Sequence, residues 1–270
     1  MIIYCYSMLD ESLRSKISEA LQPQHTVHFR TETTSEEESR EAFRNADCIL
    51  GNPPVEWFSD TLTNLKFLQL DSAGFDQYSV IKLDESVKVA NMGDWFARPC
   101  AESIVGGVLA LYHGIDRLTL LKQKSEWIGS KLRAELRILF KQNVIILGAG
   151  TIGLSVNIIL KGFGCTTHLM ARTSPEADLL NKEMLFDELP NADLVINTLP
   201  GTAQHFVDQE FFSKMKEHSV YASVGRGSTT DEKALINALE SGLLDGAVLD
   251  VTEVEPLPAE SPLWKMAGTL

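Results

Sequence analysis

Long apolar runs are missing from the 270-residue sequence, and no stretch reaches the ~18 residues of a membrane-spanning helix. "SIVGGVLALY" falls short of that length and reads as a buried helix, so no membrane association is expected. Cysteine is scarce: Cys5, Cys48, Cys100 and Cys165 form no C-x-x-C pair and no disulfide framework. Scattered thiols of this kind suit reduced side chains in a cytoplasmic protein. Basic blocks are absent too. With 24 Lys and Arg against 37 Asp and Glu, the formal net charge is -13, which argues against a nucleic-acid partner. The start, "MIIYCYSMLDESLR", lacks the basic opening of a signal peptide. No His, Cys, Asp and Glu spacing suits a metal site, and no G-x-S-x-G elbow suggests a hydrolase. Internal repeats and low-complexity segments are lacking as well.

What is present is an alternation of short apolar strands and helices, which predicts an α/β fold with parallel sheets covered on both faces. In the first part, "IIYCY", "HTVHF", "DCILG" and "LKFLQLD" read as strands. "DESLRSKISEAL" is a helix capped by Asp10, with Leu13, Ile17 and Leu21 on one face. "SEEESREAFRNA" is a polar-faced helix. "SAGFD" is a small-residue turn. "PCAESIVGGVLALYHGIDRLTLL" then predicts one long connecting helix over 101–121, with small residues that let another helix approach closely. From residue 143 the alternation resumes: "NVIILG", "TTHLMA", "ADLVINTLP", "SVYASVG" and "GAVLDV" are strands. The intervening helices include "TIGLSVNIILKGFG", closed by Gly164. Another, "TTDEKALINALESG", has a capping-box pattern from Thr229 to Glu232.

"VIILGAGTIG" places Gly148, Gly150 and Gly153 in G-x-G-x-x-G, directly after a strand and at the opening of a helix. Gly148 allows the tight turn, Gly150 lets the backbone approach a pyrophosphate, and Gly153 lets helix pack on strand. The first helical N–H groups, at Thr151 and Ile152, together with the helix dipole, favour an anion there. The acid that grips the ribose 2′-OH in NAD sites is missing from the end of the second strand. Ala171 stands in its place, followed by Arg172, Thr173 and Ser174. An arginine and two hydroxyls suit a 2′-phosphate, so NADP is expected over NAD.

Arg226 follows a strand's C-terminal end between two glycines, in the ligand crevice of a doubly wound sheet. Asp250 ends the next strand, and Glu255 follows it just before Pro256. Here the ordered set "FLQLDSAGFD", "CAESIVGGVLAL", "GAGTIG", "NTLPGT", "VGRGS" and "LDVTEVEPLPAESPLW" resembles the D-2-hydroxyacid dehydrogenases, notably their glyoxylate/hydroxypyruvate reductase branch. The resemblance covers essentially the whole chain. It implies two doubly wound parallel-sheet domains: a flavodoxin-like substrate domain over 1–97 and a Rossmann dinucleotide-binding domain over 98–270, including the interdomain helix. It also implies roles. Arg226 would bind the substrate carboxylate and keto oxygen, and backbone N–H groups at Ala73 and Gly74 would hold the carboxylate. Glu255 would orient a histidine. Leu199, Pro200, Val224, Gly225 and Asp250 would border the cofactor. A small 2-keto or 2-hydroxy acid is the implied substrate, and a homodimer through the 101–121 helix the implied assembly.

The sequence departs from the family pattern at three places. Ser223 stands where asparagine is usual before "VGRG". His113 stands where an arginine is common. After "SPLWKMAGTL" the family continues to a Pro-His pair that supplies the general acid/base, then to a helix returning to the first domain. Residues 1–270 contain neither, so impaired turnover is expected of this chain. Among the histidines present, His205 reads as a solvated loop residue. The competing reading is a dinucleotide-binding remnant or redox-sensing interaction protein without turnover. A methyltransferase or other nucleotide-binding α/β protein is disfavoured by "VGRGS" followed by "EVEPLP".

Overall fold

The computed structural model describes all residues 1–270. They form two compact units, Met1–Phe96 and Ala97–Leu270.

The first unit is built on five parallel strands: β1 (Ile2–Cys5), β2 (Thr26–Phe29), β3 (Cys48–Leu50), β4 (Phe67–Gln69) and β5 (Lys88–Ala90). Their order is β2-β1-β3-β4-β5. This is the flavodoxin-like order, and it reverses between β1 and β3. Helix α1 (Glu11–Leu21) is capped by the Asp10 side chain, as its sequence predicts, but none of its residues is buried. Leu13 is exposed, so the expected apolar face is not part of the core. Helix α2 (Glu36–Asn45) opens with a capping box between Ser35 and Glu38 and buries Phe43. Phe43, Trp57, Phe58 and Tyr78 form an edge-to-face aromatic core against Tyr4, Ile49 and Leu68. Strand β5 was not foreseen. It is a three-residue edge strand with Lys88 and Val89 exposed, so it lacks the apolar run that marks β4.

The second unit carries β6 (Asn143–Leu147), β7 (Thr166–Met170), β8 (Leu194–Asn197), β9 (Ser219–Ser223) and β10 (Leu244–Leu249), in the order β10-β9-β8-β6-β7. All pairs are parallel. Gly268 to Leu270 add to the free edge of β10, where the Leu270 N–H donates to the Ala247 carbonyl at 3.0 Å. Helices cover both faces, so β8 and β9 are buried along their whole length. The long helix expected over 101–121 is two helices, α3 (Ala97–Tyr112) and α4 (Ile115–Gln123), bent by 65°. Gly114, at φ 58°, turns the chain between them. The small residues of α3 serve its own unit: a Cβ on Gly107 would strike Val248 of β10. The short helix α5 (Ser130–Arg133) precedes β6, and α6 (Thr151–Gly162) follows it. The other face carries α7 (Lys182–Glu188), α8 (Gln209–Lys214) and α9 (Glu232–Glu240). The start of α9 corrects a second expectation. Asp231, not Thr229, is its cap and accepts from the Ala234 N–H. Thr229 is buried and bonded elsewhere. No single helix is long and apolar enough to cross a membrane.

Candidate functional site

In the second unit the strand order reverses between β6 and β8, so their C-terminal ends open the crevice where ligands enter such sheets. Gly148, with φ 101°, carries the chain out of β6 in a conformation that side chains avoid. A Cβ at Gly153 would collide with the Gly148 carbonyl, so the third glycine is what lets α6 sit on the loop. Gly150 is different: a Cβ there would meet no protein atom within 4 Å. The space over Gly150 is therefore open, and Gly150 caps α6 with no side-chain partner for the first helical N–H groups. As the first residues of α6, Thr151, Ile152 and Gly153 carry N–H groups without intrahelical partners, the donor set a pyrophosphate requires.

Beyond β7, Arg172 and Thr173 are exposed, and Arg172 makes no ion pair. The Asp178 carboxylate is turned back on β7 and accepts from the Leu169 N–H at 3.1 Å. It does not supply the missing ribose acid.

The loops after β8, β9 and β10 press against one another. A Cβ at Gly225 would collide with the main chain of Leu199, and one at Gly227 with the carbonyl of Thr252. The two glycines flanking Arg226 thus let its loop be gripped from both sides, a reason that the sequence pattern alone did not distinguish from close approach of a ligand. Arg226 itself is exposed at the end of β9, and its guanidinium donates to the Gly225 carbonyl at 3.0 Å. Asp250 donates its N–H to the Ser223 carbonyl at 2.9 Å. Glu255 accepts from the Thr252 N–H at 3.2 Å, closing a turn. No histidine stands on Glu255. The histidine–carboxylate pairs are His205 with Glu253 at 2.7 Å, His218 with Asp245 at 2.8 Å and His168 with Asp178 at 3.9 Å. His205 is therefore not simply solvated: it joins the loop after β8 to the loop after β10.

Two residues in this region were missed by sequence reasoning. Asn197 is fully buried at the end of β8 and bonds to several loops. A lone polar residue ending an apolar strand was the available signal. Cys100 on α3 lies close enough to Asp250 and Arg226 to feel both charges; burial raises its pKa, Asp250 raises it further, and Arg226 opposes.

In the first unit, Asp71 to Gly74 follow β4. The Asn91 amide donates to the Ala73 carbonyl at 2.7 Å and the Ser72 hydroxyl to the Gly74 carbonyl at 2.6 Å. Ser7 donates to Asp71 at 2.6 Å. The N–H groups of Ala73 and Gly74 donate to no acceptor within this unit, so two adjacent backbone donors are left over in this turn.

Residues 105–270 match the family model described as D-isomer specific 2-hydroxyacid dehydrogenase, NAD binding domain. The chain belongs to the D-isomer specific 2-hydroxyacid dehydrogenase family. Among the relatives of this dehydrogenase is glyoxylate/hydroxypyruvate reductase B of Serratia proteamaculans, 30% identical over 276 residues, covering 97% of this chain and 85% of that one. An uncharacterised protein of Corynebacterium melassecola is 32% identical over 240 residues, 84% of this chain and 76% of its own. The D-isomer specific 2-hydroxyacid dehydrogenase of Xanthobacter autotrophicus, solved with NADPH and MES, superposes with a TM-score of 0.78 at 26% identity, covering 99% of this chain and 86% of that one. The Aeromonas salmonicida family member shares the fold, with a TM-score of 0.83 at 23% identity over 100% of this chain and 87% of that one.

Proposed function

We propose that this dehydrogenase reduces a small 2-ketoacid, glyoxylate or hydroxypyruvate, and prefers NADPH. The observation that carries the reading is Arg226, held between the loops of β8 and β10 in the unit whose crevice opens over Gly150. The naming of full-length relatives as glyoxylate/hydroxypyruvate reductases, and the NADPH bound by the Xanthobacter relative, support it. Gly148, Gly150, Thr151, Ile152 and Gly153 would hold the pyrophosphate. Arg172 and Thr173 would take the 2′-phosphate. Leu199, Pro200, Val224, Gly225 and Asp250 would border the nicotinamide end. Bound there, the dinucleotide supplies hydride.

The chain's own residues do the rest. The Arg226 fork of the second unit takes the substrate carboxylate, a charge-assisted arrangement; the Ala73 and Gly74 N–H groups of the first unit are donors of a kind that also suits a carboxylate. Arg226 also stabilises the charge that grows on the keto oxygen. The alkoxide then needs a proton. A guanidinium stays charged at neutral pH and does not give one, and the histidine–carboxylate pairs do not include Glu255. A positioned general acid is worth about 10²–10⁴-fold in a step of this kind. The second reading is a dinucleotide-binding protein without turnover.

NADPH oxidation with hydroxypyruvate and with glyoxylate tests the proposal, alongside NADPH and oxamate binding. Oxamate binding that needs Arg226 supports the reductase site; dinucleotide binding with no oxamate binding favours the second reading. A cytoplasmic homodimer completes the proposal. Since α3 spends its apolar face on its own sheet, the seam is better placed on exposed Leu118 and Leu120 of α4 and Trp127 beyond it. Light scattering showing a monomer at micromolar concentration would remove it.

A further inference from the structure

We infer that Asn197 is a positioning residue that sets, from beneath, both the Leu199–Pro200 wall and Arg226. The inference rests on the reductase reading above and assigns a role to a residue outside its site.

The side chain of Asn197 has no solvent exposure, yet the three residues before it on β8, Leu194, Val195 and Ile196, are apolar. Sheet packing alone would be served by another valine. A buried primary amide is tolerated only when its groups are paired, and here they are. The Oδ1 atom accepts the Leu199 N–H at 3.0 Å, which turns the chain out of β8. The amide nitrogen donates to the Thr229 hydroxyl at 2.8 Å and to the Tyr221 hydroxyl at 2.9 Å. The orientation of the amide is decided by its partners, because a backbone N–H can only donate. Thr229 in turn donates its hydroxyl to the Arg226 carbonyl at 2.6 Å. One side chain therefore reaches the cofactor wall through its Oδ1 atom and the substrate arginine through the Thr229 hydroxyl.

The surrounding loops reinforce this arrangement. The His205 N–H donates to the Ser228 carbonyl at 2.8 Å, the Val207 N–H to the Thr229 carbonyl at 3.0 Å, and the Asp231 N–H to the Val207 carbonyl at 2.9 Å. Tyr221 and Thr230 share a 2.6 Å hydroxyl contact in the same buried layer. Networks of this kind hold geometry when every member is satisfied. The two branches differ in reach, however. Loss of Asn197 removes the side-chain tie between the loop after β8 and the Thr229 hydroxyl. Loss of the Thr229 hydroxyl takes away one of the two bonds on the Arg226 carbonyl, the other being the Thr229 N–H at 3.0 Å, and leaves the Asn197–Leu199 bond in place.

That fork gives the test. NADPH affinity is measured by fluorescence titration of the 270-residue chain, and oxamate affinity by calorimetry on the NADPH-saturated chain. Asn197→Leu should weaken both by about tenfold or more, the readout of a lost hydrogen bond. Thr229→Val should weaken oxamate by about tenfold and leave NADPH unchanged, and Thr229→Ser should restore oxamate binding. A purely structural role would lower both affinities together in Thr229→Val. The inference is overturned by that result, by Thr229→Ser binding oxamate as poorly as Thr229→Val, or by Asn197→Leu binding both as the unsubstituted chain does. Should Asn197→Leu fail to fold, the Thr229 pair decides alone. If the unsubstituted chain binds NADPH but no oxamate, the reductase reading fails first, and this inference falls with it.

Discussion

Gly227 lies so close to the carbonyl of Thr252 that a Cβ would occupy the same space, which places the loop after β9 directly on the loop after β10. Backbone cannot yield as a flexible side chain can. Gly227→Ala should therefore destabilise the second unit by about 1–3 kcal/mol, the usual range for overpacking, and displace Arg226 next door. Thermal unfolding and oxamate binding check this together. An alanine variant with unchanged melting and unchanged oxamate affinity would show that the two loops separate freely.

Cofactor preference turns on Arg172. It stands exposed after β7 with no ion pair, and the nearby Asp178 is engaged by the Leu169 N–H. A 2′-phosphate placed there would gain a charge-assisted bond of roughly 1.5–3 kcal/mol. NADPH should bind more tightly than NADH, and Arg172→Ala should remove the difference without weakening NADH. Equal affinities for the two nucleotides in the unsubstituted chain would refute the assignment.

The parallel sheets were legible because β6 and β8 carry continuous apolar runs, Val144–Leu147 and Leu194–Ile196, and the phosphate loop because its glycines sit between a strand and a helix. Other features were not, for physical reasons. A helical pattern runs through "LYHGIDRL" without interruption, yet Gly114 adopts a left-handed conformation and the helix breaks there. Thr229 and Glu232 have capping-box spacing, but burial draws the Thr229 hydroxyl to Arg226 and Asn197, and Asp231 takes the cap. Arg226 was singled out from its glycines, whereas Asn197 was not, since the partners of its amide nitrogen lie 24 to 33 positions away in sequence. Spacing rules register local geometry; a buried amide that joins two loops to a strand becomes visible only once the sheet is assembled.

Cys100 offers a chemical check on the placement of α3. Burial raises its pKa first, the Asp250 carboxylate adds to that, and the Arg226 guanidinium works against both. Alkylation by iodoacetamide near pH 8 should be slow at this cysteine, because the thiolate is the nucleophile. Asp250→Asn should speed it and Arg226→Ala should slow it further, as read by peptide mapping. Equal rates in all three chains would mean that Cys100 does not sense those charges.

The first unit carries its own pH signature at Asp60. Its carboxylate takes two hydrogen bonds from Arg40, at 2.8 and 2.7 Å, and one from Arg44 at 2.8 Å. The bonds from Arg40, then those from Arg44, hold its pKa well below the usual carboxylate range. A carboxyl whose pKa falls on folding binds fewer protons in the native state than in the unfolded chain. Its contribution is therefore fully present above the unfolded value, about 3.9, and is lost as pH falls below that toward the folded value. Asp60→Asn removes the contribution at every pH. At pH 7 the variant should unfold at lower temperature than the unsubstituted chain, and the gap should narrow steadily as pH drops below about 4. Circular dichroism melts at a series of pH values measure this directly. A gap that stays constant from neutral pH into that acid range would mean that Asp60 stabilises the unit through contacts indifferent to its charge.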